Sequence, residues 1–201
     1  MTISFSSTPP MPELDYHGER IVMRSPRLSD SRQWCDVRGR NQAFLTPFEP
    51  TWPEGCLSDD FYRRRFRVQA KEWHADRANY FLIFKKNGDD DREGGELIGG
   101  MNINNICRGA AQYAALGYWI DEAHEGQGYM RDAMALTVPY CFGILKLHRV
   151  QAACLADNTR SQALLRSAGF AEEGRAAHYM RVNGEWQDHI LFGLPIESWK
   201  P

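Results

Sequence analysis

The order of elements predicts a single domain of the α/β (α+β) class, with a mixed central sheet of six to seven strands flanked by about four helices. Three observations carry that expectation. Runs of strong strand formers, above all Asn79 to Lys85, interleave with amphipathic helical stretches. A strand ending in Tyr118-Trp119-Ile120-Asp121 leads into the glycine turn Glu125-Gly126-Gln127-Gly128-Tyr129-Met130, which opens a helix. A second strand ends in Ala156-Asp157-Asn158, and Asn158 precedes a further helix that closes at Gly169-Phe170.

Met1 to Leu14 is rich in Ser, Thr and Pro and lacks a basic-then-apolar pattern, so residues 1–18 are expected as a flexible tail and not a secretory signal. The domain is expected over residues 19–199. Arg20 to Arg24 reads as the first strand, stopped by Pro26. Leu28 to Phe44 reads as a helix with Asp30 near its start and Trp34, Val37 and Phe44 turned inward. Pro47, Pro50 and Pro53 stiffen the loop that follows, which carries Phe48 and Trp52. Ser58 caps a helix to about Asp76, with Phe61, Val68 and Trp73 available for burial.

Strands are then expected at Asn79 to Lys85, at Leu97 to Ile103 and up to Ile120, with Asn87-Gly88-Asp89-Asp90-Asp91 as a polar turn. Gln127 to Phe142 is the central helix, with Met130, Met134, Thr137 and Val138 on one face and Pro139 bending it or ending its regular part. His148 to Leu155 is a strand and Thr159 to Ser167 a short helix. Two last strands, about Ala177 to Val182 and Gln187 to Leu194, flank the hairpin turn Asn183-Gly184.

Net charge is −2, from 24 basic and 26 acidic residues. That balance argues against a general nucleic-acid binder, and no sequence-specific nucleic-acid contact is expected. The basic run Arg63-Arg64-Arg65 with Arg67 reads as a solvated helix face, with a phosphate or ribosome contact as the alternative. The five cysteines, Cys35, Cys56, Cys107, Cys141 and Cys154, have neither metal-knuckle nor redox spacing. They are expected as reduced thiols in a cytoplasmic protein without a metal. No run is long and apolar enough to cross a membrane.

The two strand-to-helix junctions carry the chemistry. Gly126 and Gly128 let the backbone turn sharply, and the following helix opens with unpaired N–H groups at the favourable end of its dipole. Together they form an anion cradle suited to a pyrophosphate, or a bland turn. The third glycine of a dinucleotide fingerprint and the Gly-Lys-Ser/Thr of a triphosphate loop are both missing. Asn158 is either a plain cap or an amide that bonds an extended cofactor arm. Ser161, on the next helical turn, is either a surface hydroxyl or a proton donor to a departing thiolate. The layout suits a thiol cofactor built on a nucleotide.

These elements resemble the Gcn5-related N-acetyltransferase superfamily, and within it the RimJ/RimL branch, which acetylates protein N-termini. The resemblance spans roughly Glu19 to Trp199. Early landmarks are Arg24-Ser25-Pro26, Asp30, Trp34, Arg38, Asn41 and Phe48-Glu49-Pro50-Thr51-Trp52-Pro53. Later ones are Asn104-Asn105, Arg108-Gly109, Leu116 to Ile120, Gly126 to Met130, Leu147-His148-Arg149, Asn158, Ser161, Leu164-Leu165 and Gly169-Phe170. Glu173-Gly174, Gly184, Trp186 and Asp188-His189 complete the set and, with Arg108-Gly109, favour the RimJ type.

The resemblance implies a sheet splayed where acetyl-CoA binds, and acetyl-CoA as donor. Ile120, Gly126, Gln127, Gly128, Tyr129 and Met130 would hold the pantetheine arm and pyrophosphate through their backbone. Asn158 would bond the arm, and Ser161 would protonate the thiolate. The superfamily usually has Arg or Gln at the place of Glu125 and Gly or Ala at that of Met130. Glu125 should therefore point away from the pyrophosphate. The implied acceptor is an N-terminal alanine of a ribosomal protein, with ribosome association possible in principle and the enzyme a monomer or weak dimer.

The chemistry is direct attack of a neutral amine on the thioester, with a strand N–H near Tyr118 to Asp121 stabilising the oxyanion. An N-terminal amine, of pKa about 8, needs less base strength than a lysine, of about 10.4. RimL-like relatives use a glutamate at the place of Met180, which has no basic group. His178, two residues earlier, is the expected base; Glu122, Asp188 and His189 are weaker candidates, and water alone is another route. Phe48, Trp52, Tyr179 and Trp186 are expected as walls for a short peptide, or as ordinary packing. Asp89-Asp90-Asp91 is a solvated turn or a patch that steers a basic tail. Two readings compete: an acetyltransferase for a small amine or antibiotic, and a non-catalytic ribosome-assembly module.

Overall fold

The computed structural model describes residues 9–88, 91–92 and 94–200. Within them lie eight strands: β1 (Asp15–His17), β2 (Ile21–Arg24), β3 (Asn79–Lys85), β4 (Glu96–Cys107), β5 (Tyr113–Ile120), β6 (Arg149–Leu155), β7 (Ala171–Val182) and β8 (Glu185–Pro195). Five α-helices accompany them: α1 (Ser31–Arg40), α2 (Gln42–Leu45), α3 (Asp59–His74), α4 (Tyr129–Gly143) and α5 (Thr159–Ser167). All strands join one open sheet in the order β1-β2-β3-β4-β5-β6-β8-β7. Neighbours are antiparallel except β5 and β6, which are parallel because α4 carries the chain from one to the other.

The sheet therefore exceeds the expected six to seven strands. The added strand is β1, whose Asp15, Tyr16 and His17 pair with Arg24, Met23 and Val22 inside the stretch expected as a tail. Three residues with charged ends carry too little apolar patterning to read as a strand. Their pairing depends on β2, and Tyr16 adds edge contacts with Phe81 and Tyr140.

Strand alternation sorts the core onto two faces. On one, Met23, Phe81, Met101, Leu116, Ala152 and Phe192 pack with Met130, Met134, Val138 and Cys141 of α4 and Leu165 of α5. On the other, Val22, Leu82, Phe84 and Leu97 pack with Trp34 and Val37 of α1 and Tyr62 of α3. Helix α4 runs on past Pro139 to Gly143, and Thr137 Oγ1 donates to the Ala133 carbonyl one turn earlier in the helix.

The expected helix from Leu28 to Phe44 is broken at Asn41 into α1 and α2. Helix α3 starts as expected, with Ser58 Oγ accepting from Phe61 N–H at 3.2 Å. Its buried residues are Tyr62, Gln69 and Ala70, whereas Val68 is exposed. A polar Gln69 on the inner stripe hides the true phase of that helix. Asp89 and Asp90 lie outside the described residues; Asp91 accepts from the N–H groups of Asn87 and Gly94 in the same turn. The five cysteines carry free thiols, with Cys141 and Cys154 buried.

Candidate active site

Strands β5 and β6 pair only from Tyr113↔Arg149 to Leu116↔Ala152. Beyond that point Gly117 to Ile120 stay with β4, and Ala153 to Leu155 stay with β8. The two strands part, leaving a cleft whose facing edges carry backbone groups without a ladder partner. Its two rims lead to the glycine turn before α4 and to Asn158 before α5.

At the first rim, Gly126 and Gly128 have φ of 72° and 87°, the left-handed region that β-carbons disfavour. Gly128 is the N-cap of α4, and a β-carbon there would lie 2.9 Å from Arg20 Nη2. The first backbone N–H to bond back across this end is that of Asp132, to the Gly128 carbonyl, so the preceding N–H groups of the turn remain available. Tyr129 and Met130 are buried, Gln127 is exposed, and Ile120 closes β5 half-buried. Arg20 holds the turn from outside, donating to Gln127 O at 2.9 Å and pairing with Asp132.

Glu125 turns away from the turn and pairs with Arg160 of α5 at 2.7 Å. The repulsive placement that a carboxylate would have beside an anion is thereby avoided.

A buried network fixes the inner side of the same loop. Asp121 accepts from Arg40 at 2.7 Å and from Asn41 at 2.6 Å, and its Oδ2 lies 2.8 Å from His124 Nδ1. Asn41 Oδ1 accepts from Glu122 N–H at 2.8 Å. Burial alone would raise the Asp121 carboxyl; the hydrogen bonds from Arg40, Asn41 and His124, with the Arg40 charge, override it and hold the group at about 2. Glu96, Asp121 and His124 bring ligand-type atoms within 4.8 Å of one another. Arg40 bonds both carboxylates, so an arginine already supplies the positive charge there.

At the second rim, Asn158 Oδ1 accepts from Ser161 N–H at 3.0 Å, which makes Asn158 the cap of α5 and leaves its amide nitrogen free for another acceptor. Ser161 Oγ of α5 lies 2.6 Å from the hydroxyl of Tyr118 on β5. Burial raises the Tyr118 phenol and the Ser161 bond offsets that in part, so the phenol is neutral. Cys154, beside them on β6, is likewise pushed up by burial and stays a thiol. The Tyr118–Ser161 pair was not expected from sequence. The available signal was the alternation of β5, which sends Tyr118 to the face that carries α5.

The loop 46–58 and the final hairpin do meet: Asn183 N–H donates to Glu49 O at 2.8 Å. Trp52 is half-buried; its indole donates to Glu49 Oε2 at 2.8 Å and its ring lies 4.3 Å from the Arg38 guanidinium. Arg38 forms a two-point ion pair with Glu49. Phe48, Tyr179 and Trp186 are exposed at 44%, 45% and 61%, a level that leaves ring surface available. Trp186 alternates with Gln187 and His189, which sends it to the opposite side of β8 from His189, whereas Tyr179 packs against the His189 ring. His178 sits on an irregularity of β7 between Ala176 and Met180, exposed, with φ of 48°. Its backbone N–H is held by Asp188 Oδ1 at 2.9 Å.

Comparison with known proteins agrees with this geometry. Residues 20–171 match the model of the acetyltransferase (GNAT) domain. The chain is 34% identical over 177 residues to a probable N-acetyltransferase, YjcK, of Bacillus subtilis, covering 88% of this chain and 94% of that one. It is 31% identical over 192 residues to the ribosomal protein uS5-alanine N-acetyltransferase of Escherichia coli, covering 95% of each. Among solved structures, Mycobacterium smegmatis RimJ in complex with a CoA-disulfide superposes with a TM-score of 0.82 at 29% identity, over 90% of this chain and 84% of that one. This chain belongs to the GNAT acetyltransferase family, among relatives of the RimJ/RimL ribosomal-protein type.

Proposed function

We propose that this protein transfers the acetyl group of acetyl-CoA to the free N-terminal amine of a protein, an N-terminal alanine of a ribosomal protein. The observation that carries the reading is the cleft between β5 and β6, with an open glycine turn at one rim and the Tyr118–Ser161 hydroxyl pair at the other. The two named relatives with alanine or RimJ in their descriptions support the acceptor.

The residues fit the donor. Backbone N–H groups of Gly126 to Met130 face an anion at the start of α4, and the carboxylate that would oppose it is tied to Arg160. The free amide nitrogen of Asn158 bonds a carbonyl of the pantetheine arm. The unpaired edge from Gly117 to Ile120 supplies the N–H for the oxyanion. Ser161, held by Tyr118, donates the proton that the departing thiolate takes up. Phe48, Trp52 and Tyr179 line the approach for a short extended peptide, and Trp186 stands on the other side of β8. His178, the base expected from sequence, would reach the amine only through water from its exposed position.

The test is transfer of labelled acetyl from acetyl-CoA to a peptide panel. It contains free N-terminal Ala, Ser, Met or Gly, blocked N-termini with an internal Lys, and small amines. Transfer confined to free N-terminal Ala supports the reading. Transfer only to small amines would replace the acceptor class while keeping the donor. Donor binding without transfer to any acceptor would favour a non-catalytic module.

A further inference from the structure

The geometry points to His189 as the base that takes the proton from the attacking amine, a role that rests on the transfer reaction proposed above. His189 pairs with Leu155 on one side and Ala176 on the other. Continuing the β5–β6 register past Leu116↔Ala152 would set Trp119 opposite Leu155. Trp119, Leu155 and His189 therefore belong to one row across the parted strands, one strand from the cleft. Alternation turns all three to the face opposite Tyr118, Cys154 and Ser161. The proton donor to sulfur and the imidazole thus stand on opposite faces of the cleft, so the amine can add to one face of the planar thioester carbonyl while the thiolate is protonated from the other.

The imidazole is oriented for the task. It is only 4% exposed, and Nδ1 lies 3.0 Å from the carbonyl of Gln187, two residues back on the same face. A carbonyl can only accept, so Nδ1 carries the hydrogen and Nε2 carries the lone pair. Nε2 has no hydrogen-bond partner among the described residues. Protonating Nε2 leaves the Nδ1 bond intact, and the ring does not have to move.

The charged groups around it are committed elsewhere. Tyr179 of β7 packs on the ring at 5.7 Å. Asp188 faces the other side, where Arg175 and the His178 N–H hold it. Glu49, whose carbonyl meets the hairpin tip at Asn183, is bonded by Arg38 and Trp52. Neighbouring Leu155 and Trp119 are uncharged.

The step balances. The neutral amine forms the C–N bond, the C–S bond breaks, Nε2 receives the proton leaving nitrogen, and sulfur receives one from Ser161. His189 then releases its proton to solvent and Ser161 regains one from it.

The experiment is the pH dependence of kcat/KM with an N-terminal alanine peptide, for the wild type, His189→Gln and His178→Ala, with acetyl-CoA affinity measured alongside. Two groups must be deprotonated in the wild type, the amine and the base. The acid limb of log(kcat/KM) should approach a slope of about 2 for the wild type and about 1 for His189→Gln. The rate of His189→Gln should fall by about 100-fold, with acetyl-CoA affinity unchanged. Three results would overturn the assignment: a wild-type slope of about 1, a His189→Gln rate equal to wild type, or loss of the second ionisation in His178→Ala instead. If His189→Gln does not fold, the wild-type slope together with the His178→Ala profile still decides. Absence of transfer to any amine in the peptide panel would strike the proposed reaction itself; transfer with an unchanged limb in His189→Gln would strike His189 alone.

Discussion

Ser161 and Tyr118 share a 2.6 Å hydrogen bond in which either oxygen can donate. Burial keeps the phenol protonated, so the pair enters the reaction with two protons and no charge. Ser161→Ala should lower kcat by about 100-fold, the low end of the range for a positioned proton donor, with little change in KM for acetyl-CoA. Tyr118→Phe should lower kcat less, since Ser161 keeps its proton. Steady-state kinetics of both variants check this, and equal losses in kcat and affinity for Ser161→Ala would remove it as the acid. Asp121 makes a different statement at this scale. Its carboxyl, at about 2, lies below the usual value, so its contribution to stability is complete above about pH 4 and is lost as pH falls toward 2. Thermal midpoints measured from pH 7 down to pH 2 should fall more steeply at the acid end for the wild type than for Asp121→Asn.

At the scale of elements, the glycine turn and the break at Asn41 act together. Gly128 must hold φ of 87° while Arg20 fills the space where a β-carbon would stand. Gly128→Val should cost about 1–3 kcal/mol of local strain and weaken acetyl-CoA binding by about tenfold or more, measurable by calorimetry. Unaltered binding would sink the cradle assignment. Asn41 ends α1 by bonding Val37 O with its own amide, and the same side chain bonds Asp121 and the Glu122 N–H. One buried amide thus stops a helix and fixes the loop that leads to the cofactor turn. Asn41→Ala leaves the buried-side Glu122 N–H without its partner and removes one donor to Asp121, and should destabilise by about 1–3 kcal/mol, read from the denaturant midpoint.

The described chain is a sheet whose neighbours β5 and β6 part partway along, with a core on each side of it. The parting is useful because β5 remains bonded to β4, and β6 to β8, so the cleft opens without loosening either half. Phe192 of β8, 1% exposed, packs on the α4–α5 face and anchors the half that carries His189. Phe192→Ala should cost about 3–5 kcal/mol, with the denaturant midpoint falling and the slope unchanged. Phe192 packs in the core and not in the cleft, so loss of activity in this variant should follow loss of folded protein.

What the sequence determined by itself was local. β3 shows in five consecutive strand formers, the Ser58 cap and the start of α3 in one hydroxyl before a helical run, the turn in two glycines, and α5 in Asn158 and Gly169. These depend on backbone conformations and side-chain caps within a few residues, which a chain encodes locally. Family membership followed from the same landmarks. What only the tertiary structure decided depends on partners distant in the chain. Strand β1 exists because β2 offers it an edge, and α1 stops at Asn41 because Asp121, 80 residues later, accepts its amide. Tyr118 finds Ser161 43 residues on, and Glu125 is drawn from the cradle by Arg160. From sequence, His178 ranks above His189 as a base, because His178 shares its side of the strand with Met180. A bulge in β7 leaves the first in solvent, while the pairing of β8 with β6 buries the second beside the cleft. Register sets on which face, and how deep, each imidazole stands, and no spacing within the chain specifies that.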